Sequence, residues 1–149
     1  MKTLYKTLGV IGVIIVIVLA GEIGRLVGKS TAERFYDGKK ETELNSAFMQ
    51  LASQLNQNLP IMVDAETRLD STGGINKQFF YSYTMINHSA EEINTEAFTD
   101  AMQPRLINGV CTTKEMEVFM KNNIPVSYVY RGKNGKQFLT ITVDPSQCN

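Results

Sequence analysis

The sequence has one histidine, two cysteines, four prolines and no excess of charge, with 15 basic against 15 acidic side chains. Each shortage removes a class of function. His88 alone, with two cysteines outside any C-x-x-C pattern, cannot assemble a zinc set. Balanced charge removes the basic footprint of a nucleic-acid binder, and no acidic tail waits for a basic partner. No G-x-S-x-G turn presents a nucleophilic serine. Few prolines and no low-complexity tract confine disorder to a connecting segment. No repeat of solenoid length is present. A chain of 149 residues fits one domain plus an appendage.

A phosphate loop is also missing, although Gly21–Ser30, "GEIGRLVGKS", imitates one. The motif places four residues between its first glycine and the Gly-Lys pair. Gly28, Lys29 and Ser30 would therefore need glycine where Ile23 stands. Gly24 and Gly21 both fall at the wrong distance, so the loop cannot close its N–H groups around a phosphate. No cofactor site of any kind is expected.

What is there begins with an apolar run. Thr7–Gly21, "TLGVIGVIIVIVLAG", holds no charge, and Leu4–Ile23 adds only Lys6 and Glu22. Twenty helical residues rise about 30 Å, one hydrocarbon thickness. The reading is a transmembrane helix over residues 1–24, or else a signal peptide cut after "VLA", with Val18 and Ala20 at the small-residue positions. Residues 25–38 then form a juxtamembrane linker or helix. Gly21, Gly24, Gly28 and Ala32 recur at spacings of three and four, which makes a possible helix-pairing face and a route to a homodimer through the anchor. Lys2 and Lys6 precede the run, and Arg25, Lys29 and Arg34 follow it. Counted alone, those charges lean slightly toward a cytoplasmic C-terminal part.

The cysteines point the other way. Cys111 and Cys148 flank one segment, the second of them next to the C-terminus, and read as a disulfide that ties down the tail. Two unrelated buried thiols are the alternative. The bond would close about 38 residues, worth roughly 4 kcal/mol in the chain-entropy model. It needs an oxidising compartment, which behind an export segment means the periplasm or the outside.

The remaining chain, 39–149, reads as an α+β domain. Leu44, Phe48, Leu51 and Leu55, flanked by Ala47 and Ala52, stripe one face of a helix that Pro60 ends. Ile61–Val63 is extended, and a strand near Thr67–Ser71 is expected to turn at Gly73-Gly74. "NKQFFYSYTMIN" is a strand with Phe79, Tyr81, Tyr83 and Met85 on one face and Phe80, Ser82, Thr84 and Ile86 on the other. Ser89 with Glu92, and Thr112 with Glu115, have capping-box spacing. Phe98, Ala101, Met102, Leu106 and Val110 keep helical spacing past Pro104, which should kink or split the helix. Met116, Phe119 and Met120 mark a shorter helix that frays at Asn122-Asn123. In "VSYVYRGKNGKQFLTITV" a two-residue turn at Asn134-Gly135 pairs Tyr130 with Leu139, Tyr128 with Ile141 and Val126 with Val143. The order α-β-β-α-α-β-β predicts a four-stranded antiparallel sheet with helices packed on one face.

Three places in the sequence could carry chemistry. His88 in "INHSAEE" reads as a loop residue before a capping serine, and Asn87 before it fits a glycosylation sequon only formally. Asp64, Glu66 and Asp70 surround Arg68, without calcium-loop spacing, and read as a solvated turn in preference to a carboxylate active site. Tyr81, Tyr83, Tyr128 and Tyr130 alternate along strands, as a sheet core does; a stacking platform for a sugar or peptide is the alternative.

"LPIMVDAETRLD", the aromatic strand after it, "RLINGVC", "SYVYRGKNGKQ" and the final "DPSQC" together resemble a group of small bacterial membrane-associated envelope proteins with a two-cysteine tail. The resemblance covers Leu59 to Cys148. It implies bacterial export and the disulfide, and it supplies no catalytic residue. The expectation is a non-enzymatic, single-pass inner-membrane protein with a periplasmic domain that binds another envelope protein. A cleaved, soluble periplasmic or secreted binder or inhibitor is the alternative.

Overall fold

The computed structural model describes residues 41–148 of the chain. The anchor at 1–24, the linker at 25–38 and the Gly21, Gly24, Gly28 and Ala32 face lie outside the described residues. Among the described residues, no helix is long and apolar enough to cross a membrane.

The first helix, α1, spans Glu41–Asn56. Its predicted stripe is the buried one: Phe48, Leu51, Ala52 and Leu55 all enter the core. Each of the large ones contributes about 1.5–3 kcal/mol by leaving water. The chain then forms β1, Ile61–Met62, and β2, Thr67–Ile75. After β3, Gln78–Met85, a long excursion carries helix α2, Thr95–Thr112, and the short α3, Glu117–Lys121. Strands β4, Val126–Gly132, and β5, Gln137–Val143, complete the sheet, and a 3-10 turn over Pro145–Cys148 closes the described chain.

The sheet is five-stranded and mixed, in the order β1-β2-β3-β4-β5, and not the expected four-stranded antiparallel one. Two things account for the difference. The extended stretch at Ile61–Met62 pairs antiparallel with Arg68 and Leu69 and becomes a fifth, edge strand. The helical excursion between β3 and β4 also brings the chain back to the end where β3 began. Val126 therefore starts beside Phe79, and β4 runs parallel to β3. A parallel neighbour needs such a crossover, because a tight turn cannot supply it.

That pairing sets Tyr81 beside Tyr128 and Tyr83 beside Tyr130. Their rings stack through the core: Tyr81 on Tyr128 at 5.6 Å, Tyr128 on Tyr83 at 6.5 Å, Tyr83 on Tyr130 at 5.3 Å. Phe98 of α2 meets Tyr130 edge-on at 5.0 Å, and Phe79, Phe119 and Phe48 extend the cluster at the other end. Both α1 and α2 press on this one face of the sheet, as expected.

Three local expectations are corrected. Gly73-Gly74 is not a turn; β2 continues to Ile75 and the chain reverses at Asn76-Lys77, both with positive φ (51° and 57°). The glycines serve close packing instead. A Cβ on Gly73 would fall 2.1 Å from the Phe80 ring, and one on Gly74 would fall 2.3 Å from Cβ of Phe48. Helix α2 is not split at Pro104, an exposed position, although proline offers no N–H to the Asp100 carbonyl. Its N-cap is Asn94, whose Oδ1 accepts from the Ala97 N–H at 3.0 Å. The Ser89–Glu92 box forms but opens only a 3-10 turn, with Glu92 accepting from the Ser89 N–H at 2.6 Å. Thr112 closes α2 by donating to the Asn108 carbonyl at 2.7 Å, and so caps nothing downstream.

The β4–β5 register agrees with the predicted three pairs, yet the turn does not. The loop carries one residue more, with Gly135 at φ 76° and Gly132 N–H bonded to the Lys136 carbonyl. An unpaired Phe138 opposite Tyr130-Arg131 restores the count. Phe138 is thereby freed to meet Phe98 at 5.4 Å.

Gly74→Ala tests the close approach of α1 to β2. Alanine in a strand would ordinarily gain about 0.5–1 kcal/mol over glycine. Here the Cβ has nowhere to go, and the expected result is a loss of about 1–3 kcal/mol, read as a lower urea midpoint. An unchanged or raised midpoint would mean that α1 does not press on β2 at this point.

Candidate functional site

The face of the sheet turned away from the helices is polar and self-satisfied. Arg68 pairs with Asp70 through Nε at 2.5 Å, and Asp70 also accepts from the Thr84 hydroxyl at 2.5 Å. Gln78 donates to Ser127, whose hydroxyl shares a 2.7 Å hydrogen bond with Thr142. Arg131 donates to Ser82. These hydrogen bonds hold the charged and hydroxyl side chains of the face to each other.

A concave feature lies at the edge of the sheet. Strand β1 covers β2 only as far as Leu69. Asp70 then forms a bulge between Leu69 and Ser71. Beyond it, at Thr72, the Asn56 carboxamide takes the place of a neighbouring strand. Its Oδ1 accepts from the Thr72 N–H at 2.8 Å, and its Nδ2 donates to the Thr72 carbonyl at 2.9 Å. Past Thr72 the edge of β2 and the flank of α1 bound an open groove of about 600 Å³. Met49, Ser53 and Asn56 line it from the helix, and Gly74, Ile75 and Phe80 from the hairpin. No lining side chain is charged. Met49 and Ile75 are 64% and 61% exposed, and with Met62 at 44% they are the exposed large apolar residues of the described chain. Met49 and Ile75 border the groove, whereas Met62 lies on β1 opposite Arg68. An uncharged groove flanked by exposed Met and Ile side chains has the composition of a protein-contact surface.

The residues singled out from sequence fall elsewhere. Asp64 accepts from the backbone N–H groups of Glu66 and Thr67, both at 2.8 Å, and so fixes the β1–β2 turn. Glu66 accepts from Asn87 at 3.5 Å, and Asp70 belongs to the open face. The three carboxylates each serve a different local bond and do not converge. His88 sits in the loop after β3, where its carbonyl accepts from the Lys133 N–H at 2.8 Å. The four tyrosines are buried under the helices, which leaves no platform for a ligand. Burial is also the chief reason their phenols titrate above the ordinary value. No group of acidic, cysteine or histidine side chains among the described residues could hold a metal ion. Cys111 and Cys148 are joined as a disulfide, which binds the tail to the end of α2.

The groove was not foreseen from sequence. Its only linear signals are Met49 and Ile75, apolar residues off the core-facing pattern of their elements.

No curated protein sequence matches the chain. Solved structures of similar fold include a candidate secreted protein of Pseudomonas aeruginosa, with a TM-score of 0.65 at 15% identity over 76% of this chain and 99% of that one. The type II secretion pilotin EpsS of Vibrio vulnificus gives a TM-score of 0.58 at 13% identity, over 76% and 98%. The type II secretion pilotin AspS of Vibrio cholerae gives 0.53 at 14% identity, over 72% and 94%. At such identities the likeness is one of fold. In sequence, residues 43–140 match the model of DUF8479, a domain of unknown function, and the chain belongs to that family.

Proposed function

We propose that the protein is a non-enzymatic, single-pass inner-membrane protein whose periplasmic domain binds another envelope protein, in envelope assembly, as a secretion accessory or in exclusion. The observation that carries this reading is the Cys111–Cys148 disulfide in a domain that follows the uncharged run Thr7–Gly21. A structural disulfide belongs in an oxidising compartment, and an apolar run of that length can deliver and hold a domain there. The fold shared with two type II secretion pilotins supports a secretion-related task. The uncharged groove beside β2 supports protein contact in place of catalysis. The glycine face of the anchor would allow two copies to pair in the membrane.

The second reading, a released periplasmic or secreted binder, is favoured by the small residues Val18 and Ala20 before Gly21. Intact mass of the protein from a membrane fraction, unreduced and with free thiols alkylated, separates the two. The expected result is the full-length mass with no alkyl group added. A soluble species beginning at Gly21 would establish the released form, and two alkylated thiols would place the domain in a reducing compartment. Protein binding itself is tested by a photo-reactive residue at Ile75 in living cells of the source bacterium. It should yield a covalent adduct with an envelope protein, and the absence of any adduct would count against the reading.

A further inference from the structure

Resting on that reading, we infer that the partner enters as an extended strand that pairs with β2 at Gly74, in the groove between β2 and α1. The hydrogen-bond pattern carries the inference. Gly74 lies opposite Phe79, and the Phe79 N–H is turned toward β4, bonded to the Pro125 carbonyl at 3.1 Å. In an antiparallel ladder, such an outward-turned residue faces a partner that is outward-turned too. The N–H and C=O of Gly74 therefore point away from β3, into the groove. Two residues earlier, the equivalent groups of Thr72 have the same orientation and are satisfied by the Asn56 carboxamide. A side chain already imitates one peptide unit of a neighbouring strand there, and the next unit is vacant: no described residue bonds the outward groups of Gly74.

The lining settles the chemistry of the occupant. A helix satisfies its own backbone internally and could not pair with Gly74, whereas an extended segment presents a donor and an acceptor on every second residue. Met49 and Ile75 flank the slot, so the segment carries apolar side chains at alternate positions. Because no charged side chain lines the groove, binding depends little on salt.

The test uses the full-length chain in detergent micelles and a phage-displayed library of random seven-residue peptides. The strongest binder is synthesised unmodified and in two forms, N-methylated at one or the other alternate set of backbone nitrogens. Saturation with the unmodified peptide should slow Gly74 amide exchange about tenfold or more, with Gly73 and Ile75, already turned toward β3, unchanged. One N-methylated form should bind about tenfold more weakly and the other nearly as well. Met49→Glu and Ile75→Lys, both at exposed positions, should each abolish binding with the unfolding midpoint unmoved. Gly74 exchange that is slow before peptide is added would overturn the inference, in favour of residues 1–40 of the chain, or of a second copy if the protection grows with protein concentration. Equal binding of both N-methylated forms, or a library without any binder, would overturn it as well. A peptide that perturbs only the Arg68–Thr84–Arg131 face would sink strand addition and leave the protein-binding reading intact. An empty Ile75 crosslink in cells, alongside a peptide that does protect Gly74, would sink that reading and leave the slot.

Discussion

Above pH 10 the domain is expected to unfold abruptly, with its four core tyrosines still protonated up to the transition. Tyr81, Tyr83, Tyr128 and Tyr130 are fully buried, and burial is the first cause that raises each phenol above its ordinary 10.0. For Tyr83 and Tyr128 the stacked neighbouring phenols add to the effect, and for Tyr130 the nearby Asp64 does. The folded state therefore holds protons that the unfolded chain releases once the pH passes 10. Stability is complete below that value and falls as pH rises. Each group contributes about 1.4 kcal/mol per pH unit, so four give a slope of about 5.5 kcal/mol per unit. Against a total of about 5–15 kcal/mol, the fold is lost within about one to three units. Tyrosinate absorbance followed beside circular dichroism is the measurement. Four phenols of the six in the chain should appear together with the loss of ellipticity. Stepwise ionisation in a protein that keeps its ellipticity would contradict the buried stack. Tyr81→Phe sharpens the test, since its hydroxyl is buried without a hydrogen-bond partner. Removing it should leave neutral-pH stability equal or slightly higher and reduce the alkaline slope by about a quarter.

That stack also marks how far the sequence could be read. Alternation along "QFFYSYTM" tells which side chains share a face, because a strand turns its residues over every second position. It does not tell which strand lies alongside. The pairing of Tyr81 with Tyr128 is set by the 40 residues between Met85 and Val126, whose helices turn what local order suggested as an antiparallel neighbour into a parallel one. The hairpin register was legible because Tyr130, Tyr128 and Val126 match Leu139, Ile141 and Val143 on one face. The extra loop residue was not, because the bulge at Phe138 cancels it within the same hairpin. Gly73-Gly74 carried a real signal that was assigned to the wrong cause. Glycine marks either a positive φ or a close approach, and here Phe80 and Phe48 crowd the two positions from opposite faces. The groove was illegible for a stronger reason. It forms where α1 ends with Asn56 against Thr72, a contact across 16 positions of sequence that no local pattern announces.

Removing the disulfide is expected to cost about 4 kcal/mol, a large share of a domain's whole stability. The bond joins residues 37 positions apart, and that span contains α3, β4 and β5, with Phe119, Tyr128 and Tyr130 among the buried rings. In the denatured chain the bond holds these segments in one loop, so its loss releases entropy mainly there. In the folded state it anchors Pro145–Cys148 against the end of α2, with Cys148 Sγ 3.3 Å from Met120 Sδ. A double variant, Cys111→Ser with Cys148→Ser, should show a much lower urea midpoint and a steeper denaturant dependence, because its unfolded state is less compact. Reduced wild-type protein should fall nearly as far. If the serine variant falls further, the surplus reports two hydroxyls placed beside Met120 and not the cross-link. An unchanged midpoint in both would mean that the tail is held by packing alone. The magnitude bears on location as well. A family member that relies on one bond for about 4 kcal/mol keeps that margin only where the bond is formed and maintained. A large measured loss would therefore mean that the domain keeps its full stability only in an oxidising compartment.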